Sequence, residues 1–156
     1  MPRRGIGMVC VQHQGKVMRS LANNGVTLQL TTKTAISNGN YARAAEVIVS
    51  NAKNKGRGSW FDRLSMSKLR GIYGLITNVY TRVNTPKDLE ANMGDLQYIK
   101  VKMAYEAGRA EAVKEFLVST GLMSALDSVK TYDQFILYCR YAESLVAYFK
   151  FYGGKE

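Results

Sequence analysis

The stretch from Thr131 to Tyr152 constrains this chain more than any other. Phe135, Ile136, Cys139, Ala142, Leu145, Val146 and Phe149 recur at spacings of three and four, the period of one helix face. Thr131 with Gln134 three residues later forms a capping box at its start. Residues 87–156 contain no proline. A helix from Tyr132 to about Tyr152 would be about 31 Å long at a rise of 1.5 Å per residue, enough to run the length of a small bundle. Tyr138, Tyr141, Tyr148 and Tyr152 widen its apolar surface beyond one stripe. That fits either a central helix or a protein–protein contact, with Tyr148 and Tyr152 as the interface candidates.

The same periodicity recurs upstream. Tyr41, Ala44, Ala45, Ile48 and Ala52 predict a helix over 41–52, with Asn40 as cap and Gly56 as stop. Residues 59–83 hold the next helical segment. Ser59 with Asp62 offers one cap, Ser65 or Ser67 a second, and Leu69, Ile72, Tyr73, Ile76, Val79 or Tyr80, and Val83 form its stripe. Thr85-Pro86-Lys87-Asp88 is a strong start, followed on one face by Leu89, Met93, Leu96, Ile99 or Lys100, Met103 and Ala107. Gly108 should break or kink that run. A shorter helix over 110–119 should stop at Gly121, with one or two helical turns at 122–129. The fold class is therefore all-α: a compact bundle of about five or six helices joined by short loops, in a single domain over 39–156. Residues 1–38 are a separate basic arm. Val26, Leu28 and Leu30 alternate with polar residues after an Asn24-Gly25 turn, so a hairpin and a loose arm both fit.

The inventory excludes several functions. Cys10, Cys139 and His13 are the only cysteines and histidine, so a Cys/His zinc site lacks ligands within one chain unless carboxylates complete it. His13 has no neighbour to hold it as a general base. Gly5-Ile-Gly7 and Gly153-Gly-Lys155 lack the spacing and context of phosphate loops. Glu106, Glu111 and Glu115 read as a solvated face pairing with Lys102 and Lys114. No catalytic residue, metal or cofactor is expected. No run reaches the ~20 apolar residues of a membrane span. Residues 1–11 mimic a signal peptide only faintly, with no small-residue cleavage site before Gln12, so a cytoplasmic protein is expected.

Charge carries the positive signal. The net charge is +10, but residues 1–82 contribute 13 basic and 2 acidic side chains, and residues 83–156 contribute 9 and 10. Lys53, Lys55, Arg57, Arg63, Lys68 and Arg70 cluster against Asp62 alone, interleaved with Trp60, Phe61 and Tyr73. Cations supply phosphate affinity and aromatics can stack on bases. Trp60 and Phe61 fit a core anchor better than a stacking role. Arg63, Lys68 and Arg70 lie at or before the first turn of the Leu69 helix, where the dipole disfavours cations. An external anion held by these side chains and the free N–H groups would account for them.

Three segments resemble a known family. Leu64-Ser-Met-Ser-Lys-Leu-Arg-Gly-Ile-Tyr73 and Leu96-Gln-Tyr-Ile-Lys-Val-Lys-Met-Ala-Tyr-Glu-Ala-Gly-Arg109 resemble two signatures of the small subunit of type III-A CRISPR–Cas (Csm) effector complexes. Phe135 to Gly154 resembles its C-terminal helix and closing motif, and the likeness covers about residues 41–156. The resemblance implies a non-enzymatic all-α subunit. Several copies would stack along the guide RNA and its paired target RNA, beside the backbone and large subunits. It makes Arg63, Lys68, Arg70, Lys102 and Arg109 the RNA-facing candidates, alongside Lys53, Lys55 and Arg57 of the basic cluster. Two other classes stay open: a pure protein–protein assembly spacer, and an independent helical nucleic-acid-binding regulator.

Overall fold

A computed structural model describes residues 35–156 of the chain. The hairpin or basic arm expected over residues 1–38, with its Val26–Leu30 alternation, lies outside the described residues except at 35–38, where a helical turn buries Ile36 in the core, so the helical domain begins before residue 39. The rest is helical, as the periodicity requires. Helix α1 spans Tyr41–Asn54, α2 Trp60–Arg63, α3 Met66–Tyr80, α4 Pro86–Ala91, α5 Met93–Arg109, α6 Glu111–Thr120, α7 Leu122–Ala125 and α8 Tyr132–Phe151. A 3-10 turn at Leu126–Ser128 follows α7. Five of these have ten or more residues, and α2, α4 and α7 are single short turns. None is long and apolar enough to cross a membrane.

Helix α8 is the central element and packs on both α1 and α3. Its Phe135, Cys139, Ala142, Leu145 and Phe149 are buried, while Ile136 and Val146 sit half-buried at the edge of the stripe. Tyr138 and Tyr141 are buried too. The Tyr138 hydroxyl donates to the Leu122 carbonyl at 2.8 Å, and the Tyr141 hydroxyl to the Thr120 carbonyl at 2.5 Å. The Thr120 carbonyl closes α6, where helical backbone runs out of donors. Two tyrosines of the central helix therefore serve carbonyls on either side of the Gly121 break. Cys139 is buried there as well, and burial pushes its thiol up to about 12, so it stays protonated and inert.

The short helix α2 inserts Trp60 and Phe61 into the core as an anchor. Trp60 meets Phe116 edge-on at 5.1 Å and lies near-parallel to Phe149 at 6.4 Å; Phe61 meets Phe149 at 5.1 Å. One aromatic cluster thus ties α2, α6 and α8 together, with the offset geometries such rings prefer.

Both capping boxes form. Asp88 accepts from the Thr85 N–H while Thr85 Oγ1 accepts from the Asp88 N–H, and Thr131 with Gln134 repeats the pattern. Ser65, rather than Ser67, caps α3 by accepting from the Lys68 N–H at 3.3 Å. Asn40 and Ser59 precede helices but make no side-chain cap bond.

Three expectations need correction. The run from Pro86 is two helices, because the Asn92 side chain donates to the Asp88 carbonyl at 2.7 Å and its own backbone leaves helical geometry. Gly108 does not break α5; the helix continues through it and ends at Ala110, which adopts extended backbone. The carboxylates also choose other partners: Glu106 pairs with Arg109 and Glu115 with Arg63, rather than with Lys102 and Lys114.

The chain's last residues close the bundle against α3. Gly153, at a φ of +85°, follows the end of α8; its N–H donates to the Lys150 carbonyl and the Gly154 N–H to the Phe149 carbonyl. This pair of bonds is the Schellman arrangement. The next carbonyl, Lys155, accepts from the Met66 N–H at 2.7 Å, the first residue of α3.

Candidate nucleic-acid interface

The fold divides the cations that are neighbours in sequence: Lys55, Arg57 and Arg63 gather around Glu115, while Lys68 lines a separate groove. Lys53, on the last turn of α1, places its ammonium 5.6 Å from the centre of the Tyr152 ring. Lys55 and Arg57 lie in the linker after α1, on a depression of about 500 Å³ shared with Trp60, Glu115 and Ser119. Gly56 and Gly58 there adopt positive φ, turning the chain sharply toward α2. Arg63 clamps this linker: its Nε donates to the Gly58 carbonyl at 3.2 Å and its other arm pairs with Glu115 of α6. An anion at Arg63 would have to compete with that carboxylate.

Cations distant in sequence are brought together instead. Lys68 of α3 and Lys102 of α5 line one groove of about 420 Å³, with Ser67, Gly71, Ile72, Leu75, Tyr105, Glu106 and Val113. Helices α3 and α5 pack side by side along it. Ile72 and Val113 are buried, so the deep part is apolar and the two ammonium groups stand at exposed positions. Among the described residues neither lysine is in an ion pair.

The outward face of α5 adds a feature missed from the sequence alone. Tyr98 is 57% exposed and Tyr105 64% exposed. Lys102 Nζ sits 4.9 Å from the Tyr98 ring centre, and the Arg109 guanidinium 5.5 Å from the Tyr105 ring centre. The tyrosine–cation pair is spaced by four residues and repeats after seven, which keeps all four side chains on one face. The signal was present in the sequence, since Tyr98 and Tyr105 fall outside the Leu96, Ile99 and Met103 stripe and lie four residues before Lys102 and Arg109.

The first turn of α3 differs from expectation. An external anion was to take its free N–H groups, but the Lys155 carbonyl takes that of Met66 and Ser65 Oγ that of Lys68. Arg70, one turn on, is exposed and close enough to Glu156 to help Lys150 hold that carboxyl below its ordinary range.

At the far end of α8, Tyr148, Phe151 and Tyr152 form an aromatic patch. Ring centres are 5.1 Å apart for Phe151 and Tyr152, and 6.5 Å for Tyr148 and Phe151. Tyr148 and Tyr152 are half-buried and the Tyr152 hydroxyl reaches Glu46 at 3.3 Å, whereas Phe151 is 76% exposed.

Residues 42–155 match the family model described as Csm2 Type III-A. The chain belongs to that family. Its relatives described as "CRISPR system Cms protein Csm2" include one from Streptococcus thermophilus, 35% identical over 117 residues that cover 75% of this chain and 94% of the relative. One from Enterococcus italicus is 41% identical over 124 residues, covering 72% and 87%. One from Mycobacterium tuberculosis is 30% identical over 123 residues, covering 74% and 94%. The Csm2 match takes in α1 through α8 and the closing glycines. The three segments that carried the resemblance are adjacent in space: the first forms the start of α3, the second lies on α5 across the groove, and the third leads into the tail that caps Met66.

Proposed function

We propose that this Csm2-family chain is a non-catalytic, cytoplasmic small subunit of a type III-A CRISPR–Cas effector. Several copies stack along the guide RNA–target RNA duplex and hold its phosphates without reading sequence. Its partners are the guide and target RNAs, the backbone and large subunits, and further copies of itself. The observation that carries this reading is the α3–α5 groove, in which Lys68 and Lys102 converge at exposed positions with Arg109 on the same α5 face. Convergent ammonium groups favour phosphate, and such contacts are indifferent to base identity.

The test is the salt dependence of RNA binding by the full-length protein. A Lys68→Ala/Lys102→Ala variant should stay folded and bind all RNA sequences more weakly. Each lost single-strand phosphate contact should reduce the slope of log affinity against log salt by roughly 0.7. An unchanged affinity and slope refutes the assignment.

A second reading is supported by Phe151. Its exposure beside Tyr148 and Tyr152 suits a protein contact, as an assembly spacer would require. On the spacer reading alone, Phe151→Ser disrupts assembly with the other subunits while the lysine variant behaves as wild type. On the main reading both variants are impaired, each in its own assay.

A further inference from the structure

We propose that the exposed face of α5, from Tyr105 in the α3–α5 groove to Tyr98 beyond it, seats RNA bases that are left unpaired beside the guide–target duplex, with Tyr105 and Tyr98 as successive stacking platforms and Lys68, Lys102 and Arg109 holding the flanking phosphates. This deepens the RNA reading above and rests on it. Three observations carry it. First, Tyr98 and Tyr105 are both more than half exposed and lie one heptad apart on α5, so their rings repeat along the helix about every 10 Å. Second, each ring has a cation drawn against it, Lys102 at 4.9 Å and Arg109 at 5.5 Å. Alternating aromatic surface and positive charge is the composition of single-strand binding surfaces. Protein interface cores are depleted of lysine, which disfavours a protein occupant for this face. Glu106 lies within it but is paired with Arg109, which tempers its repulsion of phosphate.

The third observation is Gly71. It occupies the interior of α3 on the groove wall, opposite α5. Glycine is the worst helix former after proline, and an interior glycine normally allows a close approach within the protein. Here a Cβ built on Gly71 would meet nothing within 4 Å. The same holds of Gly74 three residues on, so what sets Gly71 apart is its place on the groove wall beside Lys68, Lys102 and Tyr105.

Base stacking and phosphate attraction can be separated with two probes of equal charge. One is a single-stranded RNA of mixed sequence, and the other an abasic ribose-phosphate oligomer of the same length. Full-length wild-type protein should bind the base-bearing strand at least about tenfold more tightly, with similar salt slopes for both. Tyr105→Ala and Tyr98→Ala should each lose roughly tenfold on the base-bearing strand only, and Tyr105→Trp should retain binding. Gly71→Leu should fill the groove and weaken binding of the base-bearing strand, while Gly71→Ala leaves Tm unchanged or raises it by a few degrees. Equal wild-type affinity for the two probes overturns the stacking proposal and leaves the phosphate reading standing. Tyrosine variants that change self-association but not RNA affinity identify the face as a protein interface and overturn it too. Failure to bind either probe sinks the RNA reading itself.

Discussion

Gly154 provides a sharp test of how the chain is closed. A Cβ at this position would lie 2.3, 2.4 and 2.6 Å from three atoms of the Phe149 ring. Carbon atoms pack at about 3.5–4.0 Å, so Gly154→Ala demands a displacement of about 1 Å or more. Two responses are open. The ring could yield, but Phe149 is fully buried against Trp60 and Phe61, and overpacking a filled core costs about 1–3 kcal/mol. Alternatively the tail could lift. That gives up the Gly154-to-Phe149 bond at 2.8 Å and the Met66-to-Lys155 bond at 2.7 Å, each worth about 1 kcal/mol net. The exposed Lys150–Glu156 pair adds little. Both routes converge on about 2 kcal/mol, or a fall in Tm of about 4–8 °C at this chain length. Gly74→Ala is the matched control: the same change in the middle of α3, with nothing within 4 Å of the new Cβ, should stabilise by about 0.5–1 kcal/mol. Thermal unfolding of the two variants checks the opposite signs. Amide exchange then identifies the route: a lifted tail deprotects Met66, whereas a yielding core shifts the fluorescence of Trp60, the chain's one tryptophan. If Gly154→Ala is neutral or stabilising, the tail does not pack on Phe149 and the reasoning fails.

Two further outcomes follow from buried or capping hydrogen bonds. Tyr141→Phe removes the donor to the buried Thr120 carbonyl and should cost about 1–3 kcal/mol in denaturant unfolding, with no effect on the salt slope of RNA binding. Asp88 is held below its ordinary 3.8, first by the Asn84 N–H and then by Thr85, so its carboxylate stabilises the folded state above that value and loses this effect as pH falls through the lower folded one. The stability gap between wild type and Asp88→Asn should therefore be full above about pH 5 and shrink progressively as pH falls below about 4 toward the lowered folded value; a gap that widens in acid would contradict it.

What could be read from the sequence was local in origin. Thr85 with Asp88 and Thr131 with Gln134 act over three residues, so both capping boxes could be identified without knowing the fold. Gly121 as the stop of α6 is the same kind of signal. The division at Asn92 was hidden because the apolar stripe passes through it, and the bond that ends α4 comes from a side chain with no fixed helical preference. Tyr138 and Tyr141 were ambiguous for a different reason. Their burial depends on carbonyls near Gly121 that α8 reaches only after the bundle closes. Gly153 and Gly154 lack the sequence context of a phosphate loop, and their purpose depends on the Phe149 ring beside them.

The candidate site shows the same division more strongly. Proximity in sequence is proximity in space for Lys55, Arg57 and Arg63, which gather around Glu115, but not between these and Lys68, which lines another groove. The glycines at 56 and 58 and the single turn of α2 separate Lys55 and Arg57 from Lys68, while Arg63 is drawn to Glu115 on a third element. Lys68 and Lys102 meet because α3 and α5 pack side by side, a relation that neither helix encodes alone. The cations at the start of α3 did stand out from the sequence, since they oppose the helix dipole. The structure changes how that conflict is relieved. The Lys155 carbonyl brings a negative dipole end to the Met66 N–H, and Glu156 lies near Arg70, so part of the compensation is supplied by the chain's own tail. What the tail leaves is Lys68, which lies across the groove from Lys102 and beside the exposed ring of Tyr105. Of the basic cluster only Arg63 is in an ion pair among the described residues, and Lys68 is the member placed where an exposed aromatic ring is also available.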